Sequence, residues 1–282
     1  MITSKTKRIG ILGWPLEHSL SPEMHNEAFK ALQLDSVYIP LPVPPEKLAQ
    51  AVAGLKAMGF TGVNVTIPHK AAIIPYLDEI DGSAQAVGAV NTVVIRDGKA
   101  IGYNTDAQGF VQSLLAKDVT IAGKTAVVMG AGGAAQAVVS GLLTHGIASI
   151  AIGARKREKA QALTKHFPET ANLAACDWQE PAFTRRLGEC SLLINCTPVG
   201  MTPQEEEELP VTWSALNPEA VVCDVIYNPP LTSFLSKAQK RGHKIINGAG
   251  MLIEQGALAF ELWTGKAAPR NRMWSAVREH FG

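Results

Sequence analysis

The strand-like run Thr125-Ala126-Val127-Val128-Met129 leads directly into Gly130-Ala131-Gly132-Gly133-Ala134-Ala135, and no other junction in the chain restricts the fold as much. A glycine-rich turn between a strand and a helix lets the backbone approach a pyrophosphate, while the helix N-terminus offers unpaired N–H donors and partial positive charge. Ala135 stands where the third glycine of such a fingerprint falls, an accepted variant. Ala134 to Leu143 is small and apolar, as a helix packed tightly on a sheet requires, and Ser149-Ile150-Ala151-Ile152 reads as the next strand. A complete β-α-β unit follows, which commits this part of the chain to a parallel sheet covered by helices.

The end of that second strand separates two nucleotide cofactors. An NAD enzyme carries Asp or Glu there to accept from the ribose 2′-hydroxyl. This chain has Gly153-Ala154-Arg155-Lys156-Arg157-Glu158-Lys159. A carboxylate would repel a 2′-phosphate, whereas each guanidinium or ammonium contact contributes about 1.5–3 kcal/mol. The expected cofactor is therefore NADP (NADPH), with Gly130, Ala131, Gly132, Gly133 and Ala134 at the pyrophosphate and Ala154, Arg155, Lys156 and Lys159 at the 2′-phosphate end. The competing reading of the basic run is a solvated first turn of helix.

Length and composition bound the rest. A chain of 282 residues with 46% apolar and 18% charged residues describes a soluble globular protein of two ordinary domains. A net charge of +1 gives no general pull toward nucleic acid or membrane surfaces, so anion recognition must be local. Cys176, Cys190, Cys196 and Cys223 sit in strand-like apolar settings with no C-x-x-C pair and no histidine cluster, and read as reduced thiols of a cytoplasmic protein without a metal site. The basic start is followed by an apolar stretch, Ile9 to Pro15, too short and too soon interrupted by Glu17 and His18 to be a secretory signal.

Strand and helix signals alternate from the beginning. Arg8 to Trp14, Val37 to Val43 and Val63 to Ile67 read as strands; Ser21 to Leu32, Pro45 to Met58 and Lys70 to Leu77 read as helices. Val90 to Arg96 and Ala100 to Tyr103 form a hairpin around Asp97-Gly98. Asp106 to Ala116 is a connecting helix capped by the Asn104-Thr105-Asp106 run. Further strands are expected at Asn172 to Cys176, Leu192 to Cys196, Val221 to Val225 and Lys244 to Asn247, giving a doubly wound sheet. Leu252 to Thr264 and Met273 to His280 are helical and are expected to return to the first domain. Expected domains are 1–107 with 250–282, and 108–249. The acidic run Glu205 to Glu208, between Pro203 and Pro210, reads as a solvated loop.

Four polar constellations interrupt the apolar pattern. In His18-Ser19-Leu20-Ser21-Pro22, two hydroxyls precede a helix, where they suit either a carboxylate or a plain cap. Asn64 and Thr66 share one face of a strand, and Lys70 falls just past its end, either a solvated charge or an amine tuned for proton transfer. Gly88-Ala89-Val90-Asn91-Thr92 and Gly102-Tyr103-Asn104-Thr105-Asp106 complete the set; Asp106 alone could be an N-cap.

Together these motifs resemble the shikimate dehydrogenase family over essentially the whole chain. Gly13 to Asn26 is similar to the family's opening signature, and Asn64-Val65-Thr66-Ile67-Pro68-His69-Lys70 to its catalytic-lysine motif. Gly88 to Thr92 and Gly102 to Asp106 follow in the family's order, then Asn195 to Met201, Asp224 to Pro229 and Gly248 to Gln255. The resemblance implies an N-terminal α/β substrate domain, a doubly wound Rossmann-type NADP-binding domain and a cleft between them. It implies reversible reduction of 3-dehydroshikimate by NADPH in aromatic amino-acid (chorismate) biosynthesis. Lys70 would be the proton donor and acceptor with Asp106 beside it. Ser19 and Ser21 would hold the substrate carboxylate, Thr66, Asn91, Asp106 and Gln255 the ring hydroxyls, with Asn64 in the same substrate set and Tyr227 bordering the ring. Thr197, Val225, Gly248 and Met251 would neighbour the nicotinamide.

The family's NADP members usually carry Asn-Arg-Thr where this chain has Ala154-Arg155-Lys156, so the arginine is kept and its neighbours differ. Two alternatives compete. An NAD-preferring quinate/shikimate dehydrogenase shares nearly every motif, but Arg155, Lys156 and the missing acid oppose it. A catalytically silent NADPH-binding regulator would have lost Lys70 or Asp106, and both are present. The expected partner is a small-molecule acid, with no nucleic acid or membrane, in a monomer or homodimer.

Overall fold

The structure is a computed structural model that describes residues 2–16 and 19–281. Glu17 and His18 of the opening motif thus lie outside the described residues. By contacts the chain divides into two units, Met1–Gly109 with Ile253–Glu279, and Phe110–Leu252 with His280–Gly282.

In the first unit the order is β1 (Lys7–Gly13), α1 (Ser21–Ala31), β2 (Ser36–Pro42), α2 (Leu48–Ala57), β3 (Gly62–Val65), α3 (His69–Ala72), β4 (Glu79–Ile80), α4 (Gly82–Val87), β5 (Thr92–Arg96) and β6 (Lys99–Tyr103). The sheet runs β2-β1-β3-β5-β6-β4. Pairs β1–β2, β1–β3 and β4–β6 are parallel, and β3–β5 and β5–β6 are antiparallel. The β5–β6 hairpin turns on Asp97 and Gly98, at φ 53° and 75°, the left-handed pair that a two-residue hairpin needs. Leu12, Val63, Val65 and Val93 from the strands pack with Leu48, Val52 and Leu55 of α2. Each such side chain contributes about 1.5–3 kcal/mol by leaving water.

The second unit holds β7 (Thr125–Met129), α6 (Gly133–Thr144), β8 (Ser149–Ala154), α7 (Arg157–Thr164), β9 (Leu173–Asp177), α8 (Pro181–Glu189), β10 (Leu192–Asn195), β11 (Val221–Asp224), α9 (Ser233–Gln239) and β12 (Ile245–Ile246). All its strand pairs are parallel, in the order β12-β11-β10-β7-β8-β9, the doubly wound arrangement that binds dinucleotides where the strand order reverses. That reversal lies between β7 and β10. Val128, Ile152 and Ile194 from the strands pack with Val138 and Leu142 of α6.

Two helices cross the division by sequence: α5 (Asp106–Leu115) and α10 (Ala249–Thr264). The last helix, α11 (Arg270–Val277), packs on α1 in the first unit, where Arg272 pairs with Glu27 at 2.9 Å. Trp263 of α10 donates to the Val93 carbonyl at 3.0 Å, possible because Gly62 leaves room for the indole.

Several sequence expectations need correction. The strand expected at Val63 to Ile67 stops at Val65, although Thr66 still donates to the Leu12 carbonyl at 2.9 Å. The single helix expected over Lys70 to Leu77 is broken into α3 and a 3-10 turn, Ile74–Tyr76, because Pro75 has no N–H to continue the ladder. Strand β4 and helix α4 were not anticipated; their two and six residues are too few to show periodicity. The final helix expected to His280 stays α-helical only to Val277.

Candidate active site

In the first unit, the ends of β3, β5 and β6 bring the polar motifs to one buried network. Lys70 begins just beyond β3, in α3, which His69 tethers through Nε2 to the Val43 carbonyl at 2.7 Å. Its Nζ donates to Asp106 Oδ2 at 2.6 Å, and Asn91 Nδ2 donates to Asp106 Oδ1 at 2.8 Å. Both carboxylate oxygens are thus held, one by a cation and one by an amide. The Asp106 side chain is 11% exposed, while that of Lys70 keeps 28% of its surface, so the ammonium is the more open member of the pair.

Asp106 is not the cap of α5. Asn104 caps it, its Oδ1 accepting from the N–H groups of Asp106 and Ala107 at 3.0 and 3.3 Å. The carboxylate is therefore free to face Lys70. Asn91 is fixed in turn by Thr105, whose N–H donates to Asn91 Oδ1 at 2.8 Å, and its amide also lies 3.4 Å from Gln255 Oε1 on α10. A Cβ at Gly109 would meet the Gln255 backbone N at 2.6 Å, so this glycine is what lets α5 and α10 approach there.

Asn64 occupies the next layer. Its Nδ2 donates to the Asn91 carbonyl at 3.2 Å and to Thr92 Oγ1 at 3.1 Å, and its Oδ1 accepts from the Tyr38 hydroxyl at 2.7 Å. Tyr38 is stacked on His25 with centroids 4.5 Å apart, and Asn26 brackets its backbone with bonds of 2.8 and 2.9 Å. Burial pushes the His25 imidazole down to about 3, against a smaller upward pull from Asn64. Ser21 is buried and Ser19 half-buried; Leu20 takes the N-cap position without a side-chain cap bond, and Ser19 Oγ accepts from the Ser21 N–H only at 3.4 Å. Thr66 is half-buried beside Gly13. Motif reading missed Tyr38 and gave no role to Thr92 and Thr105, although both lie inside the polar motifs. The signal for Thr92 and Thr105 was a hydroxyl beside an already suspect side chain, while Tyr38 had no local mark.

In the second unit, Gly130 takes φ 113°, a conformation that glycine supplies at least cost. Gly132 and Gly133 are different: a Cβ at either position would meet nothing within 4 Å. Both are exposed at the start of α6, so a ligand's phosphates have unobstructed access to backbone N–H groups there. Ala131 and Ala134 flank them half-buried, and Ala135 is buried on the sheet side. Beyond β8, Ala154 is buried while Arg155, Lys156 and Lys159 are exposed; Arg157 pairs with Glu180 at 3.4 Å. An open glycine turn followed by a run of exposed cations, three of them beside Arg157, fits a dinucleotide carrying an extra phosphate.

Thr197 is held at the end of β10 by Asn195, whose Oδ1 accepts from its N–H and hydroxyl at 2.9 and 2.7 Å. Val225 follows β11, and a Cβ at Gly248 would lie 2.1 Å from its carbonyl oxygen. Tyr227, whose phenol is raised by burial, and Met251 are half-buried in this same unit, apart in sequence assignment from Lys70, Asp106 and Gln255. A cavity of about 120 Å³ lined by Thr125, Ser149, Asn172 and Cys190 lies at the opposite ends of these strands and contains none of these residues. Among the described residues no group of three or more His, Cys, Asp or Glu side chains could hold a metal ion, and no helix is long and apolar enough to cross a membrane.

The two arrangements define a class: an α/β protein pairing a buried lysine–aspartate site with a doubly wound dinucleotide-type unit. Comparison with known proteins gives the family. Residues 11–93 match the shikimate dehydrogenase substrate binding domain, 113–203 the shikimate / quinate 5-dehydrogenase model, and 248–278 the shikimate 5′-dehydrogenase C-terminal domain. The chain is 44% identical over 281 residues to a protein of Desulforamulus reducens named shikimate dehydrogenase (NADP(+)), covering 99% of this chain and 97% of that one. A shikimate dehydrogenase solved in complex with NADP+ superposes with TM-score 0.93 at 44% identity, covering 100% and 98% of the two chains. The Listeria monocytogenes shikimate 5-dehydrogenase in complex with shikimate and NAD gives 0.92 at 38% identity, covering 98% of each. This chain belongs to the shikimate dehydrogenase family.

Proposed function

We propose that the chain catalyses the reversible NADPH-dependent reduction of 3-dehydroshikimate to shikimate, with residues 1–107 and 250–282 binding the acid and 108–249 the dinucleotide. The observation that carries this reading is the Lys70–Asp106 pair, 2.6 Å apart, with the amine the more exposed partner. Bound NADPH supplies a hydride to the ring carbonyl carbon. As the carbonyl oxygen gains negative charge, the Lys70 ammonium stabilises it and delivers the proton that completes the alcohol. In the reverse direction the neutral amine takes the hydroxyl proton. Asp106, gripped by Asn91, keeps the amine aimed and balances its charge whenever Lys70 is protonated.

Around this pair, Ser19 and Ser21 hold the substrate carboxylate. Thr66 and Gln255 hold ring hydroxyls, and Tyr227 borders the ring. Asn64 has both amide hydrogens committed to protein acceptors and its Oδ1 already accepts from Tyr38, so its contribution to the acid is chiefly to hold Asn91 and Thr92 in place. Asn91 is similarly committed, and acts chiefly by orienting Asp106. On the dinucleotide side, Gly130 to Ala134 receive the pyrophosphate, Arg155, Lys156 and Lys159 the 2′-phosphate, and Thr197, Val225, Gly248 and Met251 the nicotinamide. The protein acts in the cytoplasm on this small acid, upstream of the aromatic amino acids.

A spectrophotometric assay of the purified protein tests the reading, with shikimate and quinate each offered against NADP+ and NAD+. The expected result is the highest kcat/KM with shikimate and NADP+. A preference for quinate with NAD+ would transfer the chain to the quinate/shikimate branch, and no turnover with any pair would leave only the dinucleotide-binding regulator.

A further inference from the structure

We infer that Asp224 is the positioning residue of the nicotinamide end of the dinucleotide site, a single buried carboxylate to which three separate turns at the C-terminal edge of the second sheet are tied. The inference rests on the reading above that this unit binds NADP(H). Asp224 ends β11 and is 2% exposed. Its Oδ1 accepts from Asn195 Nδ2 and from the Ile226 N–H, both at 3.0 Å, and its Oδ2 accepts from the Thr232 hydroxyl at 2.8 Å. Asn195 passes the constraint to Thr197 through its two accepted bonds, and Thr197 Oγ1 accepts from the Val199 N–H at 3.2 Å. Ile226 passes it to Gly248, whose N–H donates to the Ile226 carbonyl at 2.9 Å. Thr232 passes it to α9, accepting from the Leu235 N–H at 3.3 Å. Thr197, Val225 and Gly248, assigned to the nicotinamide, are thus all referenced to one side chain that itself need not touch the cofactor.

Among the described residues, three donors and no acceptor bond the carboxylate, an arrangement that suits the ionised form. A protonated Asp224 would bring a fourth hydrogen into this ring and displace one of the three bonds. The ionisable side chains around it offer no compensation. From β10 and β11 they are the thiols of Cys196 and Cys223, both raised chiefly by burial, that of Cys223 to about 12. From α9 the one cation, Lys237, pairs with Glu208. Ahead of β12, Lys244 bonds to the Lys117 carbonyl and His243 to the Ala220 carbonyl at the other end of β11. Burial accordingly raises the Asp224 carboxyl to about 7, against the hydrogen bonds that pull it down. An uncompensated buried charge is a poor choice for stability alone. Its position at the ligand edge of the sheet points to function.

The test is equilibrium binding of NADP+ and of NAD+ by calorimetry between pH 5.5 and 8.5, on the wild type and on Asp224→Asn, with melting temperatures for both. Asp224→Asn keeps an acceptor for Asn195 and Ile226 but cannot ionise. At pH 8 its Kd for NADP+ is expected to be about tenfold weaker than wild type, with an equal or higher melting temperature, and the two proteins should converge toward pH 5.5. NAD+ lacks the 2′-phosphate and its titration, so the same convergence must appear with it. Equal affinities at pH 8 would overturn the inference, as would a loss of affinity matched by a loss of melting temperature, which would make Asp224 merely structural. Failure of the wild type to bind either dinucleotide would instead overturn the functional reading beneath it. Asp224→Ala, checked for folding by its melt, should bind more weakly than Asp224→Asn at every pH; equal binding would remove the role of the three bonds.

Discussion

Asp106 and Asp224 are both buried carboxylates at strand or helix ends, yet they are stabilised in opposite ways. Asp106 has a cation at 2.6 Å, on a lysine that remains partly open. Asp224 has only neutral donors and no cation among the described residues pairs with it, so its proton is held to about pH 7. The first arrangement sets an amine beside solvent-accessible space, the placement that acid–base chemistry needs. The second shuts its carboxyl away from solvent among fixed donors, an arrangement suited to holding geometry. Under the proposed function, chemistry falls to the first carboxylate and scaffolding to the second.

The largest effect should come from breaking the first of these. Lys70→Ala is expected to lower kcat by roughly 10²–10⁴-fold, as loss of a general acid does. Its Kd for NADP+ should be unchanged when measured by calorimetry. Near-normal turnover would strip Lys70 of the proton-transfer role.

The second site should declare itself through pH rather than rate. A carboxyl whose pKa is higher folded than unfolded contributes stability that is fully present below its unfolded value, about 3.9, and lost as pH rises through its folded value. For Asp224 that loss spans about pH 4 to pH 7. Urea unfolding of wild type and Asp224→Asn across this window should show the wild type losing ground by on the order of a few kcal/mol. Parallel stability profiles would mean that the carboxyl ionises freely and that the contrast with Asp106 is false.

Much of this was legible in the sequence, but unevenly. The β-α-β unit follows from Thr125 to Ile152 alone, since a glycine turn between a strand and a small-residue helix has few other solutions, and the later strand signals from Asn172 onward extend it to the doubly wound sheet. Lys70 and Asp106 were marked because each interrupts an apolar pattern at an element end. Tyr38 could not be found this way: it is one aromatic in a strand, and its bond to Asn64 joins positions 26 residues apart. Asp224 lay in a visible motif, but its role depends on Asn195 and Thr232 converging from two other elements, which no local spacing encodes. Strand β4 was hidden because its two residues pair with β6 only through tertiary context.

The unit that scaffolds must also discriminate. Arg155→Ala should weaken NADP+ binding more than NAD+ binding by about 1–3 kcal/mol, roughly 5–150-fold, if its guanidinium meets the 2′-phosphate. Equal losses for the two dinucleotides in side-by-side titrations would move that role to Lys156 or Lys159.

The smallest expected effect separates two glycines within one turn. At Gly130 the backbone sits at φ 113° and an added Cβ would lie 3.0 Å from the Thr197 side chain, so Gly130→Ala should cost about 1–3 kcal/mol of stability whether or not a ligand is present. At Gly132 φ is −94° and the Cβ would meet nothing, so the protein itself has no use for glycine there. Gly132→Ala should therefore melt like wild type, within about 0.5 kcal/mol, the range of changes that touch no packed feature. If a pyrophosphate lies against that backbone, the same methyl group should weaken NADP+ by about tenfold, on the order of 1.4 kcal/mol. Undiminished affinity in Gly132→Ala would mean that the phosphates lie elsewhere, because the only atoms the new methyl could displace are those of the ligand.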